Sequence, residues 1–255
     1  MSTHIHAHDI TLELPLFLQN ARSATSLFKT LWGAAFDPPR REFRTILDRV
    51  SFTANAGDRI GLLGRNGAGK SSLLRILTGA YQPTTGHVDI EGSRQALLNV
   101  SLGFNNEATV LENIYLRGTA MGLRASQVRD VVLPVLEFAE LEDKTHHRLK
   151  TLSSGQRLRL GFAIATAEQH DIMIMDEWIG AGDAAFIHKA RDRMRSRVDG
   201  AKIVVLASHN TALLRDVCNK GLVLQEGKLV HFGDIESAIK SYEESLRAPA
   251  PASAA

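Results

Sequence analysis

Short apolar runs bounded by glycine- and proline-rich turns alternate with longer stretches of helical spacing along this chain. Ile10, Leu12, Leu14 and Leu16 alternate with other residues up to Phe17, the period of a strand with one buried face. Residues 46–54 read as a second strand, and residues 55–58 turn it towards a third beginning at Arg59. Leu73, Leu74 and Leu77 then recur at helical spacing until Gly79 stops them. Residues 82–86 form a loop before a short strand at 87–90. From about Ser101 to His147 the texture is helical, with Gly118, Gly122 and Pro134 as punctuation and the clearest faces at 111–121 and 127–141. Strand-like runs return at 172–175, 203–207, 221–224 and 228–232, the last two joined across Gln225, Glu226 and Gly227. Asp234 is a good N-cap for a final helix over 235–246.

Strands alternating with helices predict an α/β fold with a mostly parallel sheet, its binding edge at the carboxyl ends of the strands. An antiparallel β portion precedes it. The core takes up about residues 10–98 and 150–235, with a helical subdomain of about 99–149 inserted, all within one domain over 1–247. Within 21–44, Leu27, Phe28, Leu31 and Trp32 have amphipathic helix spacing, a face for the domain's own core or for a membrane. Residues 248–255 are an alanine- and proline-rich tail, expected to be disordered.

Composition narrows the classes. A chain of 255 residues, 44% hydrophobic and 23% charged, is an ordinary globular balance. The net charge of +2 is too weak to argue for nucleic acid. No apolar run approaches the roughly 18 residues of a membrane span, and the first residues lack the features of a signal peptide. The single cysteine, Cys218, cannot form an internal disulfide and sits in a helical pattern, which reads as a buried structural thiol in a reducing cytoplasm. His4, His6 and His8 alternate along one strand face. No carboxylate or cysteine stands at ligand spacing, so a solvated terminus is the better reading than a metal site.

Gly64, then Arg65, Asn66, Gly67 and Ala68, then Gly69, Lys70 and Ser71 follow the spacing of a phosphate-binding loop. Glycines let successive N–H groups point at an anion, and the helix starting near Gly69 adds its positive dipole end through Lys70, Ser71 and Ser72. Lys70 would reach the β- and γ-phosphates and Ser71 would bind Mg²⁺. The apolar run 172–175 ends in Asp176 and Glu177. Asp176, on a strand expected beside that of the loop, would hold Mg²⁺ through water. Glu177 would orient and deprotonate an attacking water. His209, after the run 203–207, stands at another strand tip where an imidazole could contact the γ-phosphate. Leu152, Ser153, Ser154, Gly155 and Gln156 open another helix with an anion-binding start. One nucleotide in one chain has no evident use for both helix starts.

That combination resembles the ATP-binding subunits of ABC transporters, over almost the whole chain from about Ile10 to Tyr242. Residues 152–156 are similar to the family's LSGGQ signature, with Ser154 in place of its first glycine. Residues 176–186, 153–155, 102–114 and the insertion at 21–44 look like the branch that exports O-antigen, capsule or teichoic acid chains. The resemblance implies a head-to-tail homodimer with two ATP molecules sandwiched between subunits. Each would lie between one chain's Lys70 loop and Ser153, Gly155 and Gln156 of the other. Asp183 would match an aspartate that passes information between sites, and Phe17, preferred to Phe43, would stack on adenine. A glutamine expected in the loop entering the helical subdomain is replaced by Asn105 or Asn106. The implied function is an ATPase, with ATP and Mg²⁺ as cofactors. It would sit on the cytoplasmic face of the bacterial inner membrane beneath a separate polytopic permease, exporting a polysaccharide. An ABC ATPase for a drug or lipid cargo, or one unconnected with transport, is the alternative.

Overall fold

Parity along the buried strands sets the layers of this molecule. The computed structural model describes residues 2–17, 41–98, 103–177 and 184–247. Among these, β1 (His4–Phe17), β2 (Arg41–Asn55) and β4 (Thr85–Glu91) make an antiparallel sheet in the order β2-β1-β4. A second sheet contains β3 (Arg59–Leu63), β5 (Arg94–Leu97), β6 (Ile172–Asp176), β7 (Ile203–Ala207), β8 (Lys220–Gln225) and β9 (Lys228–Asp234). Its order is β5-β6-β7-β3-β8-β9, parallel throughout except for β9.

The inner strands β3, β6, β7 and β8 are apolar at most positions because each face meets its own core. Ile60, Leu62, Ile172, Ile174, Ile203 and Val205 face the antiparallel sheet. Between the two sheets lies α1 (Lys70–Leu77), with Leu73, Leu74, Ile76 and Leu77 buried. The opposite parity, including Met173, Met175, Val204 and Leu206, packs on the remaining helices. These are α2 (Val110–Ala120), α3 (Ala125–Ala139), α4 (Ser154–Ala165), α5 (Ala184–Gly200), α6 (Thr211–Val217) and α7 (Ile235–Arg247). Phe138 of α3, Phe162 of α4 and Phe186 of α5 form an aromatic triangle with centroids 5.7, 5.8 and 5.9 Å apart, tying the helical insertion to the sheet layer. Cys218 is buried, and burial pushes its thiol up to about 12.

Several expectations are corrected. The Asp176 strand is not beside the loop strand, because β7 lies between β6 and β3. Residues 41–44, expected within the insertion, are the start of β2, because β1 is long enough to pair them. β5 was missed, since its Arg94 and Gln95 hide a strand paired with β6 on one edge only. Pro134 does not punctuate. It lies inside α3, where burial of Val131, Val135, Leu136 and Phe138 outweighs one missing backbone bond. Gly118 lies inside α2, where a Cβ would come within 2.9 Å of Val128 Cγ2, so glycine permits close packing on α3. The amphipathic stretch at 21–32 and the tail at 248–255 lie outside the described residues.

Cross-strand pairing also brings a carboxylate to the histidines that sequence spacing did not show. Asp89 of β4 stands opposite His6, and its Oδ2 is 3.0 Å from His4 Nε2.

At the foot of the parallel sheet Asp171 joins three strands. Its carboxylate accepts from Lys202 at 2.8 Å and from the Ser93 N–H and hydroxyl at 3.0 and 2.9 Å. The Lys202 ammonium, followed by the two Ser93 donors, holds the carboxyl down to about 2. A depressed carboxylate contributes stability that is present above its unfolded pKa and lost as pH falls towards the folded value. Asp171→Asn should therefore lower the unfolding free energy by roughly 1 kcal/mol at neutral pH, after allowance for solvent screening. Urea unfolding at steps from pH 5 to pH 3 should show the difference from wild type shrinking.

Candidate functional site

Between β3 and α1 the backbone makes a turn that only glycine fits at two points. Gly64 has φ 154°, and a Cβ there would lie 2.5 Å from Leu224 O. Gly69 has φ 104°, and its Cβ would meet Leu47 Cδ2 at 2.7 Å and Ile46 O at 3.0 Å. The loop is therefore wedged between β2 on one side and the β8–β9 hairpin on the other. Two bonds stitch these supports together: Gly227 N–H donates to Ala68 O at 3.1 Å, and Asp48 N–H donates to Gly227 O at 2.9 Å.

α1 begins at Lys70 with no side-chain cap and no acidic residue in its first turn. Its first N–H groups and dipole end are therefore free for an anion. Lys70 Nζ crosses the loop, donating to Gly64 O at 2.6 Å and Arg65 O at 3.1 Å. Burial pushes the Lys70 pKa down, and the nearby Asp176 and Glu177 carboxylates oppose that shift. One residue on, the Ser71 hydroxyl donates to Asp176 Oδ2 at 2.8 Å. A helix start and a strand tip two strands away thus meet, and their donor set is all oxygen, which suits Mg²⁺.

Glu177 follows with φ 73°, a left-handed backbone uncommon for a residue other than glycine. Its N–H still donates to Ala207 O at 2.9 Å, so the chain leaves β6 while held to β7. His209 projects after β7, where Asn210 caps α6 through Leu213 N–H at 3.1 Å. Lys70, Ser71, Asp176, Glu177 and His209 all line one cavity of about 970 Å³, along with Asn66, Gly67, Gly69 and Ser72.

The other expected residues stand elsewhere. Ser153 caps α4, accepting from Gln156 N–H at 3.2 Å, while Gln156 Oε1 accepts from Ser153 N–H at 3.1 Å. Neither they nor Ser154 and Gly155 are among the walls of the cavity. A Cβ at Gly155 would have no neighbour nearer than Ser153 Oγ at 4.0 Å, so this chain's own packing does not demand glycine there. Phe17 ends β1 paired with Arg41, and its side chain lies outside the described residues, as does all of Asp183. Phe43 is 61% exposed, and it is Arg44, Thr45 and Ile46 that wall the cavity on that side. Asn105 is used locally, its Oδ1 accepting from Glu107 N–H at 3.0 Å, and neither it nor Asn106 lines the cavity.

Sequence reasoning missed Arg44, Thr45, Ile46, Glu226 and Gly227. The first three are placed by the β1–β2 register, which no local pattern displays. The Glu226-Gly227 turn was visible as a hairpin, though not as the support of the loop. It also missed Asn113, fully buried, whose amide donates to Asn105 O at 2.9 Å, Ala108 O at 3.3 Å and Thr109 O at 2.9 Å and so shapes the way into the helical insertion.

A phosphate loop opening α1 at the carboxyl edge of a parallel sheet, with an acidic strand tip bonded to its serine, defines a P-loop nucleotide triphosphatase. Residues 47–180 match the ABC transporter family, and the chain belongs to it. It is 36% identical over 241 residues to the O-antigen export system ATP-binding protein RfbE of Yersinia enterocolitica, covering 93% of this chain and 96% of that one. The teichoic acids export ATP-binding protein TagH of Staphylococcus haemolyticus is 31% identical, over 97% of this chain and 90% of that one. TagH of Bacillus anthracis is longer: at 34% identity the match spans 81% of this chain and 37% of that protein. Among solved structures, an ATP-binding subunit of an ABC transporter superposes with a TM-score of 0.69 at 19% identity, over 96% of this chain and 99% of that one.

Packing at the loop gives a test that needs no nucleotide. Gly69→Ala combines left-handed strain with contacts on Leu47 and Ile46 O, and should cost about 2–4 kcal/mol of unfolding free energy. Gly67→Ala, with φ 80° and nothing within 4 Å of the added Cβ, should cost only about 1 kcal/mol. Urea unfolding of both variants measures the difference.

Proposed function

We propose that this chain is the ATP-hydrolysing subunit of an ABC exporter that drives an O-antigen-like, lipid-linked polysaccharide across the inner membrane. The observation that carries the catalytic part is the 2.8 Å Ser71–Asp176 bond inside a cavity that Lys70, Glu177 and His209 also line. The cargo rests on relatives named for O-antigen and teichoic acid export that are 31–36% identical over most of the chain.

Lys70 and the first N–H groups of α1 hold the phosphates. Ser71 and Asp176 would hold Mg²⁺, which when bound would supply neutralisation of the phosphate charge. Glu177 orients a water and accepts its proton as the water oxygen bonds to the γ-phosphorus. The bond from that phosphorus to the bridging oxygen breaks, and ADP and phosphate leave. His209, which lines the same cavity, supports this reading as the group that contacts the γ-phosphate and the attacking water. Adenine lies towards Arg44, Thr45 and Ile46, with Phe17 the aromatic partner at the end of β1.

This site is half of a composite one. The capped start of α4 offers Ser153, Ser154, Gly155 and Gln156 to solvent, away from the chain's own cavity, and the bare Gly155 leaves room for a phosphate from a second copy. A head-to-tail homodimer uses both helix starts, twice, by symmetry. The family resemblance assigns Asp183 to passing information between the two sites. A polytopic permease docks on the helical insertion, where Asn105, Leu111, Tyr115 and Leu116 line a separate cavity of about 630 Å³ and Leu116 is 51% exposed. Among the described residues no helix is long and apolar enough to cross a membrane, which fits a peripheral subunit on the cytoplasmic face.

Glu177→Gln should retain ATP binding while lowering turnover by at least about 100-fold, and should accumulate as a dimer with ATP on gel filtration. Wild-type turnover in this variant overturns the base assignment. Specific activity of the wild type should rise with protein concentration while the dimer is dilute. In cells lacking the protein, lipid-linked polysaccharide should collect on the inner face of the membrane. If it reaches the surface undiminished, the cargo assignment is wrong.

A further inference from the structure

The antiparallel sheet carries a second cluster of chemistry, far in sequence from the phosphate loop. His4, His6 and His8 of β1 share one face, opposite Ile5 and Ala7, which are buried in the core. Pairing with β4 sets Glu91 opposite His4, Asp89 opposite His6 and His87 opposite His8. The result is a face of four imidazoles and two carboxylates, with the His4 and His6 rings 4.3 Å apart and His8 stacked on His87 at 5.0 Å.

We propose that His4, His6 and Asp89 form a binding site for a divalent transition ion of the Zn²⁺ class. One ligand atom from each lies within 4.8 Å of the other two. Ligands around a tetrahedral Zn²⁺ stand about 3.3 Å apart. His4 Nε2 and Asp89 Oδ2 are already at 3.0 Å, so only the half-buried His6 has to close in, by a side-chain rotation. Two imidazoles and one carboxylate are a donor set that Zn²⁺ accepts readily and Mg²⁺ does not favour.

A second bond supports the assignment. His4 Nδ1 is 2.9 Å from Ser2 O, and a carbonyl can only accept, so Nδ1 carries the hydrogen. That fixes Nε2 as the nitrogen aimed at Asp89, the outer bond by which metal-binding histidines are oriented. The ion takes the place of the direct contact between His4 Nε2 and Asp89 Oδ2. Water completes the fourth position, and the nearby Glu91 adds negative charge. Because the ligands come from β1 and β4, the ion cross-links strands more than 80 residues apart and stabilises the sheet that covers α1.

The test is a Zn²⁺ titration of the full chain without nucleotide, against a competing chromophoric chelator, with excess Mg²⁺ present to occupy the oxygen donors at Ser71 and Asp176. Wild type should take up one Zn²⁺ per chain with a raised melting temperature. His6→Ala and Asp89→Asn should each weaken binding by more than about tenfold and lose the thermal shift, with ATP binding unchanged. Unaltered Zn²⁺ affinity in a His4→Ala/His6→Ala double variant, or no uptake by wild type, overturns the proposal. X-ray absorption at the zinc edge of the unmutated protein provides a reading that does not depend on how the variants fold. A shell of two imidazoles completed by oxygen donors supports the site, and any other number of imidazoles refutes it.

Discussion

Everything at the carboxyl edge of the parallel sheet depends on how the backbone between Leu63 and Lys70 is confined. With Leu224 O closing on Gly64 and Leu47 on Gly69, the loop has no room for side chains at its two ends. That confinement aims the first turn of α1 across the sheet, so that Ser71 reaches a strand tip two positions away. Neither the helix start nor the acid at Asp176 is unusual alone. Their distance is what makes chemistry available, and packing from β2 and the β8–β9 hairpin sets that distance.

The two cores divide the labour. The layer between the sheets holds α1 rigidly, with Leu73, Leu74, Ile76 and Leu77 all buried. The opposite layer joins the sheet to the helical insertion through Phe138, Phe162 and Phe186. A displacement of the insertion therefore has an aromatic path to α5, at whose start the chain returns from the acidic strand tip.

Local chemistry was legible in the sequence wherever it is encoded locally. The loop glycines, Lys70, Ser71, the Asp176-Glu177 pair and the Asp234 cap all announce themselves within a few residues, because backbone conformation and helix ends impose short-range demands. Strands such as β6 and β7 were equally plain, since burial on both faces leaves an unbroken apolar run. What escaped depends on pairing. The order β6-β7-β3 is decided by crossover connections and not by any strand's composition. The wall formed by Arg44, Thr45 and Ile46 follows from the β1–β2 register, and Asp89 meets His4 only because β4 runs antiparallel beside β1. Pro134 misled for a related reason, its local cost being outweighed by tertiary burial.

Lys70 shows what such confinement means for a ligand. Its ammonium is already engaged with the carbonyls of Gly64 and Arg65, two acceptors of the very loop it serves. These two bonds leave a third ammonium N–H, so an incoming phosphate would share one cation with the loop's own oxygens. Removing the lysine would free those carbonyls as well as deprive the phosphate of its partner. Substitution at this position thus changes the resting loop and the loaded one together, and the two effects separate only if the empty protein is measured beside the bound one.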